Sequence, residues 1–259
     1  MFLSQLLVNI GTDSEDKPRP GLNWMKRTDC VHQRIWMAFP DDKRLENDPF
    51  FLGTWSPDSK PKPPRSEVGF LFRIEPDRPA RVLVQSLLKP DWDYAFQNAR
   101  HLITAPPLVR EFDPVFHSGQ SYRFRLVMLM VKRRSDRTRK DGTQTGPAEV
   151  PIRCFLPEDP IGVPPKRDPN CTAWRERFAA AAVQRGFTVD TDPKKLRVQP
   201  INNLRMKATD RENAATYNAA AFDGLLTCSE PELLRGAVIN GVGRGKAFGM
   251  GLLSLALLQ

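Results

Sequence analysis

Cysteine and histidine are scarce in this 259-residue chain, which has four of the first and three of the second. The cysteines, Cys30, Cys154, Cys171 and Cys228, form no C-x-x-C pair, so neither a zinc knuckle nor a thiol redox motif is encoded. The histidines, His32, His101 and His117, show no H-x-H or H-E-x-x-H spacing, so no metal site and no cofactor is expected. Long apolar runs are also missing. The most apolar stretch, Gly249 to Leu258, is far short of the roughly 20 residues that span a bilayer. The first ten residues lack a basic start and are interrupted by Ser4, Gln5 and Asn9, unlike a signal peptide. Widely spaced thiols fit a reducing compartment. The expectation is a cytoplasmic protein without a membrane partner.

What is present fits a globular chain: 40% hydrophobic and 27% charged residues exclude global disorder. Lys plus Arg outnumber Asp plus Glu by 39 to 30, a net charge of +9 that favours a polyanionic partner such as nucleic acid. Twenty-four prolines point to long ordered loops.

The hydrophobic pattern repeats one arrangement twice. Phe2 to Ile10 has the length of a strand. Thr28 and Asp29 are N-cap types, followed by Val31, Ile35, Trp36 and Phe39 at helical spacing up to Pro40. After a linker or loop, PDSKPKPP at 57–64, come strand-like runs at 68–74 and 81–87, a short helix, and an alternating then continuously apolar run at 121–131. The order β-α-β-β-α-β is ferredoxin-like. Residues 132–140, KRRSDRTRK, begin a basic linker or loop that continues to 147. A second cycle comes next: a strand around 148–155, a helix at 172–184, strands at 196–207 and 216–228, a helix at 231–240 and a strand at 252–258. The expected fold is α+β, two ferredoxin-like (RRM-like) domains in tandem at 1–131 and 148–259.

Two features could carry chemistry. The segment Gly241-Val242-Gly243-Arg244-Gly245-Lys246-Ala247-Phe248-Gly249-Met250-Gly251 lets backbone amides approach an anion closely. It is no P-loop, which would need Gly at 240 and Ser or Thr at 247, where Asn240 and Ala247 stand. It serves either as a tight helix-to-strand turn or as a contact to a phosphate backbone through Gly241, Gly243, Gly245, Arg244 and Lys246. His32, placed by this reading in the first turn of the first helix beside Lys26, Arg27 and Arg34, is the leading acid–base candidate. A helix start favours the neutral imidazole, the form that accepts a proton.

The C-terminal block GLLTCSEPELLRGAVINGVGRGKAFGMGLLSLALL closely resembles the end of the CasE family, the CRISPR-repeat endoribonucleases of type I-E Cascade complexes. GVGRGKAFGMGLLS is similar to that family's glycine-rich signature, and FLSQLLVN, the helix from His32 and VLVQSLLKPDW at 82–92 match further family blocks in the same order. The resemblance implies a tandem ferredoxin-like fold that binds an RNA hairpin. It implies a cut of one phosphodiester at the base of the stem by metal-free attack of the preceding 2′-hydroxyl. The cut leaves a 2′,3′-cyclic phosphate. It further implies a product that stays bound, partners among the other Cascade subunits, and contact with target DNA only through the assembled complex.

His32 matches the family's helix histidine. The family often has a tyrosine three residues earlier, where this chain has Asp29. Asp29 either caps the helix or orients His32 and raises its basicity. Lys26, Arg27 and Arg34 are the cations placed to stabilise a phosphorane. The family's basic hairpin corresponds to 196–228, with Arg205, Lys207 and Arg211 at or near its tip and Lys194, Lys195 and Arg197 at its base. Lys132, Arg133 and Arg134 offer a further basic surface. A non-catalytic hairpin-binding subunit of the same complex is the competing reading, with Asp29 as its sign. A conventional RRM regulator is disfavoured, because no RNP motif with paired strand aromatics is present.

Overall fold

The computed structural model describes residues 1–11, 19–39, 69–77, 79–134, 137–138, 144–145, 148–152, 168–206 and 215–258. The chain divides into two compact units, Met1–Asp113 with Ala247–Gly249, and Pro114–Lys246 with Met250–Gln259.

The first unit runs β1 (Phe2–Leu7), α1 (Pro20–Met25), α2 (Thr28–Trp36), β2 (Phe70–Glu75), β3 (Arg81–Ser86), α3 (Trp92–Phe96) and β4 (Leu108–Glu111). Its antiparallel sheet has the order β2-β3-β1-β4, the ferredoxin-like order. Alternation decides which side packs. Ser4, Leu6 and Val8 are buried along one face of the first strand and its extension, as are Val82 and Val84 of β3. On α2 and the turn that follows it, the buried positions Val31, Ile35 and Ala38 recur at helical spacing and join the same core. The PDW block acquires a structural role. The Asp91 carboxylate accepts from the Tyr94 amide at 2.9 Å and caps α3, while the Trp92 indole donates to Ser4 Oγ at 3.0 Å and pins α3 onto β1.

The second unit runs β5 (Ser121–Leu129), β6 (Val131–Arg134), β7 (Arg137–Thr138), β8 (Gln144–Thr145), β9 (Ala148–Pro151), α4 (Thr172–Val183), β10 (Phe187–Val189), β11 (Leu196–Met206), β12 (Ala215–Cys228), α5 (Pro231–Asn240) and β13 (Ser254–Leu257). The main sheet has the order β10-β12-β5-β13, with β11 also on β12. β10 and β11 succeed each other along one edge of β12, Val189 facing Leu226 and Leu196 facing Gly224. Taken as one broken edge strand, they give the ferredoxin-like order a second time. Phe124, Phe178, Phe187 and Phe222 are at most 2% exposed and fill this core, the Phe178 and Phe222 rings stacking at 4.6 Å.

Three expectations are corrected. Ser121–Leu129 is a central strand, as its alternation suggested, but of the second sheet, paired with β12 and β13. The boundary therefore falls at Asp113/Pro114 rather than after 131. The fourth strand of the first sheet is Leu108–Glu111, an edge strand with all four residues exposed, so it carries no burial pattern. Residues 148–151 do not open the second sheet; they pair with β6, and β7 pairs with β8, so the expected 132–147 linker holds short strand ladders. The 57–64 loop lies outside the described residues.

Glu75 lies across from Arg81 in the β2–β3 pair and binds both Arg73, at 2.7 Å, and Arg81. Arg73 and Glu75 are only 4% and 7% exposed. Burial pushes the carboxyl pKa up, but the hydrogen bonds and charges of Arg81 and Arg73 outweigh it and hold Glu75 below the usual carboxylate range. A depressed pKa contributes stability above the unfolded value, lost as pH falls through the folded value. Glu75→Gln should therefore destabilise the fold at pH 7, on the scale of about 3–5 kcal/mol for breaking a buried pair. The gap to wild type should narrow only as pH falls through the folded-state pKa of Glu75, which lies below the ordinary carboxylate range. Thermal melts of both proteins from pH 7 to pH 3 check this.

Candidate RNA-processing site

His32 lies in the second turn of α2, one turn deeper than expected, because the N-cap residue is Arg27 and α1 precedes this helix. The dipole of a helix acts mainly within its first turn, so it contributes little at His32. The imidazole is half-buried among aromatic rings. Its centroid lies 5.2 Å from Phe70, 6.1 Å from Phe72 and 6.4 Å from Trp36, the last nearly parallel at 26°. Trp36 comes four residues after His32, so both occupy one helix face.

The other candidates near α2 separate by role. Asp29 does not cap the helix; it sits in the first turn and pairs with Arg27 at 3.4 Å, both side chains largely solvated. Such a pair contributes little to stability. Arg34 is committed to α3 and the residues just after it. Its Nη1 donates to the Ala95 carbonyl at 2.8 Å and to Asn98 Oδ1 at 2.9 Å, and burial lowers its pKa. It therefore ties α2 to the segment 95–98. Lys26 is exposed at the C-terminal end of α1.

The glycine-rich segment is built for packing. Gly241, Gly243, Gly245, Gly249 and Gly251 all have positive φ. A Cβ at Gly245, φ +82°, would lie 2.8 Å from Leu129 Cδ1; one at Gly249, φ +80°, would lie 3.0 Å from Phe72 Cε2. Gly249, part of the first unit, thus lies on the ring that also neighbours His32. The loop closes on itself through Val242 N to Gly251 O, 2.9 Å, and is tied to β5 through Gly251 N to Val127 O, 2.8 Å. Arg244 and Lys246 are exposed on it. Partial burial and the positive charge of Arg185 lower the Lys246 pKa. The tight-turn role of the glycines is therefore met, while the two cations remain presented.

Arg205 lies in β11 opposite Thr216, and Lys132, Arg133 and Arg134 lie in β6. Lys207 and Arg211 lie outside the described residues. Lys195 is paired with Asp190 at 2.7 Å. Sequence reasoning missed Trp36 and Phe70 beside His32, although the four-residue spacing to Trp36 was readable. It also missed Arg185 beside Lys246, which no local signal announces.

Residues 1–256 match the family model described as CRISPR associated protein. The CRISPR-associated endoribonuclease Cse3 of Thermus thermophilus is 30% identical over 195 residues, 72% of this chain and 79% of that protein. This chain belongs to the CasE (Cse3) family. A solved structure of Thermus thermophilus Cse3, bound to an RNA representing a pre-cleavage complex, has the same fold at a TM-score of 0.59 and 23% identity, covering 98% of each chain. Cas6e from Escherichia coli K-12 also shares it, at a TM-score of 0.55 and 20% identity over 100% of both chains. Among the described residues, no helix is long and apolar enough to cross a membrane.

The packing of this family segment gives a direct test. Gly245→Ala should lower stability by roughly 1–2 kcal/mol, the cost of a side chain in the left-handed region, with the Leu129 clash added. Gly236→Ala, inside α5 with nothing within 4 Å of the new methyl group, should instead raise it, by up to about 1 kcal/mol. Denaturant melts of the two variants check the opposite signs.

Proposed function

We propose that this chain is an endoribonuclease that cuts CRISPR precursor RNA at the base of the repeat hairpin without a metal ion. In this reading it keeps the mature guide RNA and works within a Cascade complex. It meets target DNA only through that assembly. The observation that carries the reading is the seat of His32: a half-open imidazole on a helix face beside aromatic rings. Gly249 of the glycine-rich family segment packs on one of those rings. The Thermus thermophilus relative is an endoribonuclease, which supports the same activity.

RNA supplies its own nucleophile. The 2′-oxygen attacks the adjacent phosphorus, its proton passes to a base, the bond from phosphorus to the 5′-oxygen breaks, and that oxygen takes a proton. The products are a 2′,3′-cyclic phosphate and a 5′-hydroxyl. Neutral His32 accepts the first proton, or its protonated form delivers the second. Asp29 precedes it by three residues on the same helix and pairs with Arg27, and this reading assigns it the role of orienting His32. Lys26 is the exposed cation this reading offers to the phosphorane, whereas Arg27 pairs with Asp29 and Arg34 is engaged with Ala95 and Asn98. Arg244 and Lys246, with Arg205, Lys207, Arg211 and the Lys132, Arg133 and Arg134 group, supply phosphate contacts that govern affinity and its salt dependence.

The alternative, a hairpin binder without activity, is favoured by Asp29 in the family's tyrosine position. Incubating the chain with a labelled repeat hairpin in EDTA separates the two. One cut with a cyclic-phosphate end is expected. A 2′-deoxy nucleotide before the scissile bond should abolish it. His32→Ala should slow cleavage by at least roughly a hundredfold with little change in binding. Binding without any cleavage would leave the binding-subunit reading, and a strict Mg²⁺ requirement would overturn the mechanism.

A further inference from the structure

The rings around His32 fall into two groups. Phe72 and Phe39 are 0% and 6% exposed and belong to the core of the first unit. Trp36, Phe70 and His32 itself are only partly buried. Trp36 and Phe70 lie 6.0 Å apart at 56°, and each faces the imidazole, at 6.4 and 5.2 Å. Phe70 is fixed from behind by Phe39, stacked at 5.7 Å and 15°, so this wall is rigid on its core side. A large indole four residues after the histidine, half open and flanked by a braced phenyl ring, has the shape and chemistry to receive a flat π-faced group.

We propose that Trp36 and Phe70 form a stacking wall that receives a nucleobase flanking the scissile phosphate, and so align the RNA at His32. This rests on the reading that the chain cleaves hairpin RNA. The physical need comes from the reaction. The 2′-oxygen, the phosphorus and the departing 5′-oxygen must be in line, and a continuous A-form stack does not present them so. One base must leave the stack to let its sugar turn, and an aromatic surface replaces the stacking it loses. Such a surface accepts any base, because every base has a π-face. Trp36 and Phe70 are thus positioning residues, and His32 remains the group that moves the proton.

The test uses the full chain and a repeat hairpin in three forms: unmodified, and with an abasic site at either nucleotide flanking the scissile phosphate. Trp36→Ala should slow single-turnover cleavage of the unmodified RNA by about five- to a hundredfold, the range for losing one stacked base. Trp36→Phe should recover most of the rate. One of the abasic RNAs should be cut at similar rates by wild type and Trp36→Ala, since the stacking partner is already gone. An equal loss on all three RNAs would assign Trp36 a purely structural role, and no loss on the unmodified RNA would equally overturn the proposal. A second readout does not depend on cleavage. 2-Aminopurine at that nucleotide should be quenched on binding wild type or His32→Ala, and not on binding Trp36→Ala. If wild type fails to cut but quenches, the cleavage reading fails and the stacking wall stands. If wild type leaves the probe unquenched at both positions, the wall is overturned whether or not cleavage occurs.

Discussion

The ring of Phe72 has no exposed surface, and the geometry around His32 depends on it. It points from β2 into the core of the first unit. Its centroid lies 6.1 Å from the imidazole and 6.4 Å from Phe70. It is also the surface on which Gly249 lies, so closely that a methyl group there would approach Cε2 to 3.0 Å. A segment far away in sequence is held against the histidine's neighbour because one position lacks a side chain. Packing at interior density leaves no slack for the added atom, so this glycine fixes a distance as well as a backbone angle.

Several of the cations are committed to partners within the fold. Arg73 and Arg81 converge on Glu75, Arg34 on the carbonyl of Ala95, and Arg125 on Asp223. Arg244 and Lys246 project from a loop whose own hydrogen bonds run through its backbone, and Lys246 carries the added electrostatic pressure of Arg185. The net charge of +9 therefore overstates how much positive charge is unengaged by the fold. The arginines that raise it include several with fixed internal partners.

The ferredoxin-like repeat was legible because alternation and helical spacing are local signals. Val31 and Ile35 marked α2, and α5 begins and ends at the expected Pro231 and Asn240. Assignment of Ser121–Leu129 to a sheet was not legible. Its pattern, buried Tyr122, Phe124, Leu126 and Met128 against exposed Arg123 and Arg125, states that one face packs. Which strands flank it depends on pairing with Ala219–Thr227 and Ser254–Leu257, far later in the chain. Leu108–Glu111 escaped notice for the opposite reason: an edge strand exposed on all four residues has no pattern to read.

By itself, the sequence determined the tandem α+β fold and the family through its glycine-rich signature, and it singled out His32 as the candidate for acid–base chemistry. The fold comes from local periodicity, the family from the resemblance of that signature, and His32 from a residue type whose chemistry needs no context. Only the tertiary structure decided that Asp29 pairs with Arg27 instead of capping α2, that Arg34 serves α3, and that Trp36 and Phe70 frame the imidazole. Each of these outcomes is a choice among partners. A side chain's partner is set by which surfaces the sheets and helices bring within a few ångströms, and that distance is a property of the folded chain.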